Sequence, residues 1–538
     1  MPFKKKRGRF WILFGAVLTL VLPVSGQQTW NNVNSGSWSK TSNWSPVGSP
    51  NAIGASATLG DVIKAARTVT LDVDVTLGTL NFSGDNNYSM AGTKSLTFDA
   101  TAGNAVINIS GKNASQIGTA PTNLLTVSMV LTDNLVINHS GSGDFKLAGA
   151  ISGAGGIVKN GSGTALLYGY HENAYTGATI VNDGMLVLDT YTLRNGSIKG
   201  TTVVVGDGIG AAESAVLRNG PLIAPYADEM INDAATVSFG SDGLWAINNE
   251  NETVSALNFA GGRVRTGTGL LTLASATPVT TEASSGTALI EGNLRVTGGG
   301  TGEARFEIAD GSAAIDAEIS AAVSGTTRFV KQGEGSLRLS GASANTLSGT
   351  TTVEAGTLEL AKAGGVAAIA GSSITVNSGG TLLLGNSEQI SNSTGLILSG
   401  GEFSTGAGFN ETLGTLTLTS DSRITLGDTI HNLRFGASNL AGWDAAASLT
   451  IYGWAADPSG AGISKVFFGT NTGSLTTQQL SQIHFDGFTG SMLLANGELV
   501  PTAVPEAEAY LAALLVACIT VWRERTRFLP RLQSLCLR

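Results

Sequence analysis

Apolar and polar residues alternate along most of this chain in short runs, separated every few residues by glycine or asparagine. The clearest stretch is "KNGSGTALLYGYHENAYTGATIVNDGMLVL", Lys159 to Leu188, which returns without a gap as "KQGEGSLRLSGASANTLSGTTTVEAGTLEL", Lys331 to Leu360. Lys159 matches Lys331, Leu167 matches Leu339, Thr179 and Val181 match Thr351 and Val353, and Leu186 and Leu188 match Leu358 and Leu360. The period-2 alternation of "SLRLS", "TTTVE" and "GTLEL" predicts half-buried strands. Between them lie Gly161, Gly163, Gly169, Asn173, Gly177 and Gly184, matched by Gly333, Gly335, Gly341, Asn345, Gly349 and Gly356. Both residue types tolerate the left-handed backbone of a tight bend, so these twelve are predicted corners. Thirty residues then give three strands and three corners, about one coil of a triangular solenoid, and a core closes only when coils stack.

A second theme recurs in "TLGTLNF" (Thr76 to Phe82), "TVSALNF" (Thr253 to Phe259) and "TLGTLTL" (Thr412 to Leu418), the later two each preceded by Asn-Glu. The two themes together predict an all-β chain: a parallel β-helix, or β-solenoid, of ~25–30-residue coils with terminal caps and a C-terminal hydrophobic helix. The expected divisions are a signal peptide at 1–26, a capping region with the first coils at 27–150, and the repeat solenoid at 151–430. A β-rich module with one short helix follows at 431–503, and a sorting or anchor segment at 504–538. The helix is expected at "SLTTQQLSQIHF", where Thr476 and Gln479 form a capping box and Leu475 and Leu480 a hydrophobic staple.

Composition agrees with strands and turns. Glycine is 72 of 538 residues, about twice the usual ~7% share, and charged residues are 13% against a usual ~25%. The formal net charge is −9; without the basic ends, 21 basic and 39 acidic groups remain, a net of −18. An acidic body repels phosphates, so nucleic acid is excluded as a partner. The two cysteines, Cys518 and Cys536, lie at the C-terminus, leaving the body without disulfides or a cysteine-based metal site.

The N-terminus has a basic stretch, an apolar run from Trp11 to Leu22, Pro23 and then small residues. It reads as a secretory signal peptide cleaved between Gly26 and Gln27, which makes the translocase and signal peptidase partners. Near the other end, an apolar segment from Ala509 to Trp522 follows Pro505 and Glu506 and precedes Arg523, Arg525 and Arg527. As a helix it would reach about 21 Å, short of a ~30 Å hydrocarbon core, with arginines snorkelling at one end and staying cytoplasmic. This order resembles the PEP-CTERM sorting signal, with Ala507 in place of the second proline. The resemblance implies an exosortase-type enzyme as a partner and membrane contact through the C-terminal helix.

The 30-residue unit resembles the autotransporter-associated β-strand repeat. The pattern Lys-x-Gly-x-Gly-x-Leu-x-Leu-x-Gly, then Asn, then Gly-x-Thr-x-Val-x-x-Gly-x-Leu-x-Leu runs nearly complete from Lys331 to Leu360; the first copy has Ala165 where the second has Leu337. The N-terminal "TWNNVNSGSWSKTSNWSPVGSP" and the C-terminal "LTIYGWAADPSGAGISKVFFG" also resemble secreted proteins of this type. The resemblance implies a passenger-type solenoid exported to the cell surface, outer membrane or exterior of a Gram-negative-type bacterium, with transient inner-membrane anchoring.

Candidate chemistry is sparse. His139, His171, His431 and His484 are scattered, and His171 beside Glu172 reads as a solvated corner pair. Gly206, Gly208 and Gly210 follow a strand without the helix a dinucleotide site needs, and read as a turn. Asp72 and Asp74, at i and i+2, fit one face of a strand, either solvated or grouped as in β-helical polysaccharide lyases and hydrolases. Trp30, Trp38 and Trp44 are placed to cap the first coil, or to stack on sugar rings. The expectation is an exported, surface-associated protein without catalytic residues, cofactor or metal, in a structural, adhesion or extracellular-matrix role with extracellular polysaccharide as a partner. The alternatives are a carbohydrate-active solenoid and a sugar-binding protein.

Overall fold

A computed structural model describes residues 26–111, 123–190, 196–220, 228–455, 463–488 and 490–502. The apolar segments at both ends, with Pro505, Glu506, Arg523, Arg525 and Arg527, lie outside the described residues. Among the described residues no helix is long and apolar enough to cross a membrane.

The alternating segments fold as strands, and each strand pairs with the one a full coil later. They stack into three faces. The first face is an 18-stranded sheet running from Gln28–Trp30 to Leu416–Ser420. Its strands run parallel except Trp44–Ser45, which pairs antiparallel with Gln28–Trp30. The second face is parallel from Gly36–Ser37 to Ile483–Phe485. The third is thinner: five strands from Val75–Leu77 to Ala174–Tyr175, and then in places single bridges, Ile198 to Ile231 and Ile369 to Ile390. Two long strands, Arg263–Leu273 and Ala288–Val296, bend around the corner and serve both the second and third faces. They pair Arg263 with Leu289 and Leu271 with Leu294, with a register shift in between. The second face continues in register past residues 150 and 430, whereas the first face ends at Leu416–Ser420.

The coil is shorter than the repeat suggested. Within the repeat Lys159 pairs with Val181, and Leu167 with Leu188, so a turn closes in 21–22 residues; elsewhere on the first face a turn takes from 20 residues, Val237 to Leu257, to 34, Val203 to Val237. The 30-residue unit is therefore a coil plus the next coil's second-face strand, and Leu337 and Leu339 of the second copy pair with Leu358 and Leu360 of that same copy. The physical reason is corner tightness: glycine corners turn the chain with few residues, and strands of three to six residues suffice to bury one side.

Inward residues form columns. Ile107, Ile137, Lys159, Val181 and Val205 lie in successive register, as do Phe306, Lys331, Val353 and Val376. The aliphatic and aromatic members are at most 1% exposed, each contributing about 1.5–3 kcal/mol of burial. Phenylalanines of neighbouring coils stack, Phe239 on its register partner Phe259 at 4.7 Å and Phe306 on Phe329, two residues out of register, at 4.5 Å between centroids.

Both ends are closed. Trp30, Trp38 and Trp44 are at most 1% exposed; Trp44 meets Trp30 and Trp38 edge-on at 5.1 and 4.6 Å. Their indole N–H groups donate to Asn32 O, Pro50 O and Trp38 O. The tryptophans cover the first coil and offer no exposed ring face. At the far end the helix Thr477–Gln482 carries the expected capping box. Gln479 Nε2 donates to Ser438 O and Ala441 O, fixing the helix over the last coils. The strand Glu498–Thr502 pairs antiparallel with Ser464–Phe468 and ends the third face.

Candidate functional site

The polar residues of the repeat build corners. Lys159 and Lys331 point into the core and are fully buried. Lys159 Nζ donates to Asn160 O, Gly161 O and Asp183 O at 3.1, 2.6 and 3.0 Å. Lys331 Nζ donates to Gln332 O, Gly333 O and Ala355 O at 3.0, 2.7 and 3.0 Å. Three N–H donors meet three carbonyls, two within the corner and one from the coil above. Burial pushes both ammonium groups down to about 8, which still leaves them charged at pH 7.

Asn173 and Asn345 are equally matched. Asn173 Oδ1 accepts from Ile151 N and its Nδ2 donates to Ser197 O; Asn345 does the same with Val323 N and Ala368 O. Each amide ties the coil below to the coil above. Gly161, Gly169 and Gly184 take positive φ, as do Gly333, Gly341 and Gly356. Gly163, Gly177, Gly335 and Gly349 do not; there a Cβ would strike a neighbouring coil, 2.3 Å from Gly156 N at Gly177 and 2.1 Å from Thr327 O at Gly349. All twelve predicted corner residues thus lie in equivalent places in the two copies.

The Asn-Glu pair of the second theme is also a corner device. Glu252 is buried and accepts from Asn219 Nδ2, Met230 N and Ile231 N at 2.7, 3.0 and 3.0 Å. Glu411, also buried, accepts from Gln389 N at 2.7 Å and Ile390 N at 3.4 Å. Asn251 Oδ1 and Asn410 Oδ1 accept from the coil above, from Leu270 N and Asn432 N. Burial raises both carboxyls to about 8 against the pull of these donors. A further match escaped the sequence reading: Glu229 and Glu388 sit one coil below with positive φ, and each carboxylate accepts from the hydroxyl of the next coil's threonine, Thr253 or Thr412. Their spacing from the Asn-Glu pairs, 22 residues in both copies, was the available signal.

Asp72 and Asp74 are not on one strand. They lie in the corner between Arg67–Leu71 and Val75–Leu77, because the chain must bend there. Asp72 accepts from Ser39 N and Oγ in the coil below, and Asp74 from Ser95 N and Oγ in the coil above. These bonds hold both carboxyls below the usual carboxylate range. Glu172 of the exposed His171 corner faces Lys199 at 3.9 Å. Gly206, Gly208 and Gly210 form a left-handed turn, with Gly208 N donating to Asp242 Oδ1. His139 is buried with its ring against Gly163, and burial, with Lys159 nearby, lowers it to about 4. His431 bonds Thr405 Oγ1 and Thr429 O. No group of three His, Cys, Asp or Glu among the described residues is arranged to hold a metal ion.

The outer surface is ordered too. On the first face an asparagine ladder climbs five coils from Asn81: Asn108, Asn138, Asn160 and Asn182 each donate Nδ2 to the asparagine Oδ1 below at 2.8 to 3.0 Å. On the second face Arg263 and Arg265 each pair with both Glu213 and Glu291, beside a cavity of about 180 Å³ that Glu213 and Arg263 line. Both carboxylates are tied to guanidinium groups. A larger groove of about 430 Å³ lies on the third face, lined by Leu270, Arg295, Val296, Thr297 and, from the two coils above, Ser324, Thr326, Thr346 and Ser348.

No curated protein and no solved structure matches the chain. The passenger-associated-transport-repeat family matches it at two places, residues 157–188 and 329–360. These are the two segments whose lysine, glycine and asparagine corners coincide, so the chain carries this autotransporter-type repeat twice, built into one continuous β-solenoid.

Proposed function

We propose that this is an exported, surface-associated solenoid without enzymatic activity, serving a structural, adhesion or extracellular-matrix role. The observation that carries the reading is where the chemistry-bearing side chains go. The buried lysines, asparagines and glutamates of both repeat themes are engaged in hydrogen bonds within and between coils. Such a body is stiff, free of cysteine and able to fold after crossing a membrane. The basic, apolar N-terminus suits a translocase and signal peptidase, and the Pro505-Glu506 segment with its arginines suits an exosortase-type enzyme that acts while the tail holds the inner membrane.

The test has two arms. Full-length protein expressed in a Gram-negative host is expected in the surface or medium fraction and accessible to added protease. Incubated with a panel of bacterial and plant polysaccharides, it is expected to release no reducing ends. Cleavage lost in Glu213→Gln or Glu291→Gln would replace this reading with a carbohydrate-active one.

A further inference from the structure

We propose that the third-face groove around Arg295 binds the carboxylate of an acidic sugar within an extracellular polysaccharide. The proposal deepens the surface reading above and names a ligand class for it. Arg295 lies on the strand Ala288–Val296, between Thr272 below and Ser324 above in register. Its neighbours Leu294 and Val296 are buried, so the alternation fixes Arg295 outward on a rigid sheet. Arg263, Arg265, Arg305, Arg328 and Arg338, on nearby coils, each face a glutamate. The Arg295 side chain makes no ion pair or hydrogen bond among the described residues, and its five N–H donors are open to the groove.

The rest of the lining says what kind of anion fits. Arg295 is the one charged residue lining the groove, and a single guanidinium matches a monoanionic carboxylate in bidentate geometry. Around it are hydroxyls. Thr297 Oγ1 and Ser324 Oγ donate to Leu273 O and Leu294 O in the coil below, which turns their lone pairs outward as acceptors. Thr326, Thr346 and Ser348 are free to donate or accept. Leu270, partly exposed, supplies an apolar wall for sugar C–H groups. Ser324 and Thr346 repeat at the ~4.8 Å strand spacing, so polar groups recur along the groove as they do along a saccharide chain. The net −18 of the body disfavours a dense polyanion, which points to a polymer in which acidic sugars alternate with neutral ones.

Full-length protein in mild detergent would be titrated calorimetrically with three probes: an alternating hexuronate–hexose octasaccharide, the same octasaccharide with its carboxyls reduced to alcohols, and inorganic sulfate. Submillimolar binding of the acidic form is expected, at least tenfold weaker for the reduced form and for Arg295→Gln, with Arg295→Lys intermediate and the melting temperature unchanged in both variants. Thr346→Val should weaken the octasaccharide and leave any sulfate binding unaffected. No binding of the acidic form, equal binding of the two octasaccharides, or an unaltered Arg295→Gln would overturn the site. Sulfate competing as well as the octasaccharide would make it an anion site only. Failure here would leave export untouched, because fractionation reads that separately.

Discussion

Replacing Lys331 with methionine removes one charge and three hydrogen bonds while keeping an unbranched side chain in the core. Two of the acceptors, Gly333 O and Ala355 O, take no backbone donor among the described residues, so the variant leaves them part-buried and without that partner. At about 1–3 kcal/mol each, the loss centres near 4 kcal/mol. Against this, the variant removes the desolvation of the ammonium group. Burial lowers its pKa from 10.5 to about 8, which at about 1.4 kcal/mol per unit is on the order of 3 kcal/mol. The net at pH 7 is a destabilisation of about 1 kcal/mol. The sign of the pH dependence is definite. Between about 8 and 10.5 the unfolded lysine holds a proton that the folded one has lost, so the wild-type protein gains stability as pH rises through this window. Lys331→Met lacks that gain, and the gap between variant and wild type should widen to about 4 kcal/mol by pH 10.5. Urea unfolding of both proteins at pH 7, 8, 9 and 10.5 measures it, and Lys159→Met is the matched copy. A gap that stays constant, or a variant more stable than wild type at high pH, would refute the account of the buried lysine.

Gly349→Ala sets a Cβ 2.1 Å from Thr327 O and should cost about 1–3 kcal/mol by forcing two coils apart, whereas Gly442→Ala, with open space around it, should be neutral by the same urea assay. Trp38→Ala empties a fully buried site in the N-terminal cap and should cost about 3–5 kcal/mol in thermal or urea unfolding. Glu252 and Glu411, raised to about 8, stabilise the fold when protonated; their contribution is full below about 4.5 and lost as pH rises to about 8, and Glu252→Gln should flatten that part of the pH–stability profile. Seventeen parallel strands on the first face, at ~4.8 Å spacing, give a rod about 77 Å long, so small-angle scattering of the secreted protein should show a maximum dimension of at least about 77 Å, against about 60 Å for a uniform globule with the ~23 Å radius of gyration of this size.

The one-dimensional order of this protein was legible in its sequence because each coil contacts mainly its neighbours. Period-2 alternation, glycine spacing and an ungapped repeat are local properties, and in a stacked fold local properties are nearly the whole architecture. The strands around Leu337 and Leu358, the tryptophan cap and the capping box at Thr476 follow from such patterns. The coil length did not. Thirty residues repeat, yet 21–22 close a turn, since the period of a sequence match reports how much of the chain is constrained, not where it comes back over itself. Side-chain direction was also hidden: a lysine in a polar-looking corner points inward only because three carbonyls converge there, and Asp72 and Asp74 part to opposite coils because the backbone bends between faces. The groove at Arg295 depends on contributions from residues 270 to 348, spread over successive coils. The sequence by itself determined the class, the strand content and the capped ends. The tertiary structure alone decided which residues of different coils lie side by side, because that depends on the closure distance around the coil, and with it every ladder, ion pair and groove on the surface.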